Sequence, residues 1–91
     1  MLELILYSRS YCHLCDDMRD AVMQYQREAA FDLEIVDVDA DPDLIAQYDE
    51  LVPVLATRRA DGTTRMLCHY FLDPSALRAL LDEEKMKGLC P

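Results

Sequence analysis

The chain has 91 residues, 52% of them hydrophobic and 30% charged, and it carries a formal net charge of −9 at pH 7. A chain of this size and composition is expected to fold as a single domain, residues 1–91, and its apolar runs are too short to cross a membrane. The negative charge argues against nucleic acid and anionic membrane surfaces as partners, because both would repel the protein.

The expected cellular location limits the roles that the four cysteines can have. The N-terminal residues show no basic segment followed by a long apolar region, so we expect a cytoplasmic protein. Thiols in the cytoplasm are mostly kept reduced. The four cysteines are therefore better explained by chemistry, metal binding or packing than by a disulfide framework.

The first half of the chain predicts a strand, a helix and a second strand. Residues Leu2 to Tyr7 are an apolar run without clean alternation, which is typical of a strand covered on both faces. Apolar residues then recur at helical spacing from about Cys15 to Ala29, and the segment Leu33 to Asp39 is rich in β-branched residues. This order predicts a crossover connection between two parallel strands.

The second half predicts a helix, a hairpin and a last helix. An Asp-Pro pair marks each helix start, at 41–42 and at 73–74, because aspartate caps free amides and proline has no amide to leave unpaired. The strand-like segments VPVLAT and RMLCHYF flank the Asp-Gly pair at 61–62, which favours a turn with positive φ. The predicted order is β-α-β-α-β-β-α, an α/β protein.

This order, with YSRSYCHLC after the first strand and YDELVPVL leading into the third, resembles the thioredoxin-like fold and, more closely, glutaredoxin. The resemblance covers nearly the whole chain and includes the closing strand pair with its final helix. It implies a four-stranded mixed sheet flanked by helices. It also implies a dithiol–disulfide oxidoreductase that reduces protein or low-molecular-weight disulfides.

The resemblance assigns different roles to the two cysteines of the C-x-x-C motif. A thiol attacks a disulfide as its thiolate, and a helix N-terminus stabilises that anion with unpaired amides and a partial positive charge. Cys12 would lie at this helix end and attack the substrate. Cys15, one turn further along, would attack the mixed disulfide and release the reduced substrate.

Five further residues are candidates for substrate binding. Arg9 stands where glutaredoxins usually carry a lysine, and a cation there would favour a thiolate and an acidic ligand; the alternative is a solvated loop residue. His13 acts as a cation or proton donor, or it points to water. Tyr11 stacks on a ligand, or it covers the helix start. By resemblance, Pro53 is a cis-proline that faces the cysteines, and Val52 presents backbone groups to an extended ligand; the alternative is an ordinary trans proline.

Two departures from the glutaredoxin pattern matter for substrate choice, and the first disfavours glutathione; no resident cofactor is predicted. The segment HYFLDPSA lacks the usual Gly-Gly turn, and Asp73 occupies the helix start that receives a glutathione carboxylate in glutaredoxins. The pair His13-Leu14 replaces the usual Pro-Tyr between the cysteines, which influences the redox potential. The expected partners are disulfide-containing proteins or small thiols, and the expected state is a monomer.

Other functions are also consistent with the sequence. The potential zinc ligands are Cys12, His13, Cys15, Cys68 and His69. Cys68 and His69 are neighbours in a predicted strand, so they point to opposite faces and cannot both reach the cysteine pair. Cys68 is expected to be buried and Cys90 exposed. An iron–sulfur site is less favoured because such sites in glutaredoxin relatives enlist glutathione. A redox-inactive binding module that holds a partner at the 52–53 surface is the remaining alternative.

Overall fold

The computed structural model describes residues 2–10 and 12–89, with side chains as far as residue 84. The strands are β1 (Leu2–Ser8), β2 (Phe31–Asp37), β3 (Val54–Arg58) and β4 (Thr64–His69), and the helices are α1 (His13–Gln24), α2 (Pro42–Tyr48) and α3 (Pro74–Leu89). Short 3-10 turns follow α1 at Tyr25–Arg27 and β2 at Val38–Ala40. This is the predicted element order. No helix among the described residues is long and apolar enough to span a membrane.

The four strands form one mixed sheet in the order β2-β1-β3-β4. β1 pairs with β2 in parallel and with β3 antiparallel, and β3 pairs antiparallel with β4. The predicted parallel pair and the predicted hairpin are both confirmed. Gly62 has a φ of 89° in the hairpin turn, a conformation that glycine adopts without a steric penalty.

β1 is buried on both faces, as its continuous apolar run predicts. One core contains its residues at positions 2, 4 and 6 together with buried residues of α1 and α3, namely Met18, Val22, Leu77, Leu80 and Leu81. The second core contains Ile5 and Tyr7, and residues of α2 such as Leu44 pack against it. Helices therefore cover both faces of the sheet, and the turn between β1 and α1 lies at the edge where β1 ends.

The element boundaries differ from the predicted ones by a few residues, for local reasons. α1 begins at His13, earlier than predicted, because Cys12 provides the cap. β3 begins after Pro53, since proline has no amide to donate to a strand ladder. β4 ends at His69 because Tyr70 has a φ of 65°, which turns the chain.

Both Asp-Pro pairs begin helices as predicted. An oxygen of the Asp41 side chain accepts a hydrogen bond from the Asp43 amide at 2.9 Å. One oxygen of Asp73 accepts from the amides of Ser75 and Ala76, at 3.0 and 3.2 Å. Each carboxylate thus satisfies amides that have no partner inside the helix.

Candidate redox site

Cys12 caps the N-terminus of α1. Its Sγ accepts a hydrogen bond from the Cys15 amide at 3.1 Å, and its carbonyl oxygen accepts from the Asp16 amide at 3.2 Å. The sulfur therefore occupies the place where a serine or aspartate oxygen usually stabilises the unpaired amides of a helix. The same amides, with the partial positive charge of the helix end, favour a thiolate at this position.

The second cysteine lies directly beneath the first. Cys15 is only 3% exposed, whereas Cys12 is partly exposed. The two Sγ atoms are 2.32 Å apart, at disulfide distance, and the Cα atoms are 5.2 Å apart. Met18 and Val22 follow on the buried face of α1 and fix this helix against the sheet. The pair thus combines one partly exposed cysteine with one buried cysteine.

The Val52–Pro53 segment lies beside the end of β1. The peptide bond between these residues is cis, Pro53 is buried and Val52 is partly exposed. The antiparallel register pairs Val54 with Tyr7, so Pro53 is adjacent to the point where the chain leaves β1 for the loop to Cys12. The sheet therefore brings together two segments that are distant in sequence.

Two hydrogen bonds hold this segment in place, and a third lies two residues before it. The Val52 amide donates to the Tyr48 carbonyl oxygen at 3.1 Å, and the Tyr70 amide donates to the Pro53 carbonyl oxygen at 2.9 Å. The Tyr70 hydroxyl also donates to the carbonyl oxygen of Glu50. The Val52 amide is therefore already engaged within the chain.

Arg9 lies in the loop between β1 and α1 and bridges two carboxylates. Its Nη2 is 2.7 Å from Asp39 and 2.8 Å from Asp49. These hydrogen bonds, first to Asp39 and then to Asp49, raise the pKa of Arg9 above its usual value. Sequence reasoning did not identify these partners. Arg9 thus joins the loop before Cys12 to the turn after β2 and to the end of α2, while its predicted interaction with a thiolate or an acidic ligand stays a prediction.

His13 and Tyr11 are the remaining predicted site residues. His13 is the first residue of α1 and is exposed to solvent. Tyr11 lies outside the described residues. Their predicted roles, like the substrate-binding roles of Val52 and Pro53, stay predictions.

An apolar groove next to the cysteines was missed by the sequence reasoning. It has a volume of about 180 Å³ and lies between α1 and the segment after β4, lined by Leu14, Asp17, Met18, Ala21, Tyr70, Phe71 and Leu72. The available signal was the segment HYFLD, where bulky residues replace the expected glycines.

The other cysteines do not extend the site among the residues that the structure describes. Cys68 is a free, partly buried cysteine that packs against the first core, whereas the neighbouring His69 is exposed. Burial raises the pKa of the Cys68 thiol. Within residues 2–10 and 12–89, no group of three or more His, Cys, Asp or Glu side chains is placed to hold a metal ion. Cys90 lies outside the described residues.

Comparison with known proteins identifies the family. The model of the glutaredoxin-like domain family (DUF836) matches residues 3–82. The chain belongs to this family. The comparison of this glutaredoxin-like chain with curated proteins found no match.

Solved structures agree with this assignment. The chain is similar to protein Ne2328 from Nitrosomonas europaea, with 35% identity over 88% of this chain and 91% of that one and a TM-score of 0.77. It is similar to protein XcR50 from X. campestris, with 36% identity over 88% of this chain and 96% of that one and a TM-score of 0.58. Mitochondrial thioredoxin 3 from Saccharomyces cerevisiae, in its oxidised form, shares the fold, with 18% identity, 90% and 77% coverage and a TM-score of 0.66. A glutaredoxin-like thioredoxin fold with Cys12 and Cys15 at disulfide distance supports a redox-related role.

Proposed function

We propose that this protein is a small dithiol–disulfide oxidoreductase of the cytoplasm, which reduces disulfides of proteins or of low-molecular-weight compounds. The observation that carries the proposal is the arrangement of the cysteines. A partly exposed sulfur at the N-terminus of α1 stands at disulfide distance from a buried sulfur one turn further along. This arrangement provides an attacking group and a resolving group within one helix turn.

The reaction consists of two exchanges. The Cys12 thiolate attacks one sulfur of the substrate disulfide, the substrate S–S bond breaks, and the departing thiolate takes up a proton. Cys15 then loses its proton and attacks the Sγ of Cys12, which breaks the mixed disulfide and releases the second substrate thiolate, which is also protonated. The substrate gains two electrons and two protons, and the protein is left with a Cys12–Cys15 disulfide.

A thiol reductant must return the protein to its reduced form. Either a dithiol or two monothiols would donate the two electrons and form their own disulfide. Glutathione is the less favoured reductant, because Asp73 already accepts hydrogen bonds from the amides of Ser75 and Ala76 at the start of α3. A glutathione carboxylate would compete with Asp73 for these amides. The protein acts as a monomer on its disulfide substrates.

Serine variants of the cysteines test the proposal. Cys12→Ser should abolish the reduction of a small disulfide, because no thiolate remains at the helix end. Cys15→Ser should accumulate a mixed disulfide between Cys12 and the substrate, detected by intact-protein mass spectrometry. Cys68→Ser is the control and should retain the wild-type rate.

Two outcomes would contradict this assignment. If Cys12→Ser turns over as fast as the wild type, Cys12 is not the attacking group. If the wild type reduces no disulfide at all, the redox-inactive binding module becomes the better interpretation.

A further inference from the structure

Exposed apolar side chains concentrate in the groove beside the cysteines. Among the described residues, Leu14 is 38% exposed, Tyr70 40% and Phe71 69%, and all three line this groove. Met18, which is 2% exposed, contributes to its base. Exposed apolar side chains that cluster in this way mark an interaction site more often than isolated ones do. We call this feature the Phe71 groove.

The groove is continuous with the proposed redox site. Leu14 lies between the two cysteines in the sequence, in the first turn of the helix that Cys12 caps. On the other side, the Tyr70 amide donates to the Pro53 carbonyl oxygen at 2.9 Å. A chain joined to Cys12 by a disulfide would therefore have its next residues within reach of the groove, since one extended residue spans about 3.3 Å.

The residues after β4 are held before any ligand binds. Tyr70 bonds to the Pro53 and Glu50 carbonyl oxygens through its amide and hydroxyl, and the Phe71 amide donates to the His69 carbonyl oxygen at 2.7 Å. A preorganised surface loses less conformational entropy on binding than a mobile one. The groove volume of about 180 Å³ suits one large apolar side chain. For scale, an apolar cavity of about 150 Å³ can hold benzene.

The negative charge of Asp17 beside the groove favours a partner with a positive charge. The exposed Asp17 lines the groove and forms no ion pair with any described residue. The nearby carboxylates of Asp16 and Asp20, by contrast, both interact with Arg19. With a net charge of −9 on the whole chain, this surface attracts a cationic side chain and repels an anionic one.

We propose that the Phe71 groove binds an apolar side chain of an extended polypeptide substrate, next to the substrate cysteine that Cys12 attacks, while a neighbouring lysine or arginine of the substrate pairs with Asp17. This inference rests on the proposed function and specifies its substrate class. It favours basic, apolar protein segments over glutathione, whose two carboxylates and one amine give it a net negative charge at neutral pH.

Matched peptide disulfides test the substrate preference. The pre-reduced protein is mixed with disulfide-linked peptide dimers that carry Phe-Lys, Ser-Lys or Phe-Glu beside the cysteine, and with glutathione disulfide, and the products are quantified after acid quenching. Replacing Phe by Ser should lower the second-order rate constant about tenfold, a factor typical of losing one well-packed side chain at an interface. Replacing Lys by Glu should lower it several-fold, and added salt should reduce this second effect.

Variants of the protein test whether Phe71 and Asp17 cause the substrate preference. Phe71→Ala should decrease the rate ratio of the Phe-Lys to the Ser-Lys peptide, and Asp17→Asn should decrease the ratio of the Phe-Lys to the Phe-Glu peptide. The controls are Ile35→Ala and Asp32→Asn, which alter an exposed apolar and an exposed acidic residue of β2, and they should preserve both ratios. Circular dichroism confirms folding, which is expected because the Phe71 side chain is largely exposed.

The outcomes separate this inference from the proposed function. Equal rates for all peptides, ratios that do not change in Phe71→Ala and Asp17→Asn, or faster reduction of glutathione disulfide than of the Phe-Lys peptide would each overturn the groove assignment. Failure of the wild type to reduce any of the disulfides would instead overturn the proposed function.

Discussion

The two ends of the sheet each contain an arginine that bridges two carboxylates, but the two bridges join different kinds of structure. At the end near the cysteines, Arg9 joins Asp39 and Asp49, and all three residues lie outside the strands. At the end near the β3–β4 hairpin, Arg58 joins Glu3 of β1 and Glu34 of β2. These strands are already connected by their backbone pairing. Of these two bridges, only the Arg9 bridge therefore joins segments that the sheet leaves unconnected.

The cavities at the two ends also differ. The hairpin end has a cleft of about 840 Å³, where Arg58 pairs with Glu3 and Arg65 pairs with Glu83 at 4.0 Å. The groove at the cysteine end has about 180 Å³ and adjoins the cysteine pair. The location of the cysteine pair, rather than cavity size, is therefore the basis for proposing a redox function at this end.

The largest expected effect concerns the reactivity of two thiols that lie near the same end. Cys12 lies at a helix N-terminus, whereas Cys68 lies in β4, where burial raises the pKa of its thiol. Because only the thiolate is alkylated, iodoacetamide at pH 7 should modify Cys68 at least about tenfold more slowly than Cys12. Peptide mass spectrometry of quenched time points measures both rates.

The pH dependence of alkylation gives a second measure of the difference between the two thiols. A raised pKa means that the Cys68 thiolate forms only at a higher pH than an ordinary thiolate would. The labelling rate of Cys68 should therefore keep rising above pH 8.5, the usual region for a free cysteine. Equal rates at pH 7, or a Cys68 profile that levels off near neutral pH, would contradict this prediction. Either result would mean that the helix N-terminus does not make Cys12 more reactive than Cys68.

The next effect compares the two arginine bridges. Arg9→Met should lower the second-order rate constant for a small disulfide about five-fold, because the loop before Cys12 loses its connection to the segments at 39 and 49, and small misplacements of reacting groups slow reactions. Arg58→Met removes a bridge of the same kind, and its rate should stay within about two-fold of the wild type, because backbone pairing maintains the strands. Stopped-flow measurement of the reduced proteins determines both constants.

The Arg9 variants separate positioning from a direct electrostatic role. Arg9→Lys keeps a cation but cannot bridge two carboxylates with the same planar geometry. If Arg9 positions the loop, Arg9→Lys should fall between the wild type and Arg9→Met in rate, while the pH profile of Cys12 alkylation keeps its midpoint. A midpoint that moves to higher pH in Arg9→Met, with the rate at high pH restored, would instead assign Arg9 to thiolate stabilisation.

Local sequence signals predicted the parts of this structure that depend on local physics. The absence of alternation in β1 indicated burial on both faces, and each Asp-Pro pair indicated a helix start, because a cap needs only the next few amides. The positive φ of Gly62 followed from the same kind of signal. The position of Cys12 at the start of α1 was also accessible, since the helical pattern begins directly after the motif.

The features that could not be predicted depend on the folded sheet. The partners of Arg9 are 30 and 40 residues away in sequence, and they approach Arg9 only because β1 pairs with β2 and with β3. The Phe71 groove likewise needs α1 and the segment after β4 to be packed side by side. The segment RMLCHYF predicts a strand that runs through Phe71, but β4 ends at His69. The exposure of Phe71 beside Leu14 is a property of the assembled layers.

The smallest expected effect concerns the hairpin end alone. Gly62 has a φ of 89°, and a Cβ added there would have no atom within 4 Å, so a substitution changes only the backbone preference. Gly62→Ala should lower the free energy of unfolding by about 1–2 kcal/mol, the cost of a left-handed conformation for an L-residue. Chemical denaturation measures this change. Gly62→Asn is the matched control and should lose less, since asparagine tolerates positive φ.

The rate of disulfide reduction by the Gly62 variants tests whether the hairpin end and the cysteine end are independent. Both should reduce a small disulfide as fast as the wild type at temperatures well below unfolding, because the hairpin is separated from the cysteine pair by the length of β3. A rate that falls along with the free energy of unfolding would show that the hairpin end supports the redox site. In that case the independence of the two ends, on which the contrast between Arg9 and Arg58 depends, would be wrong.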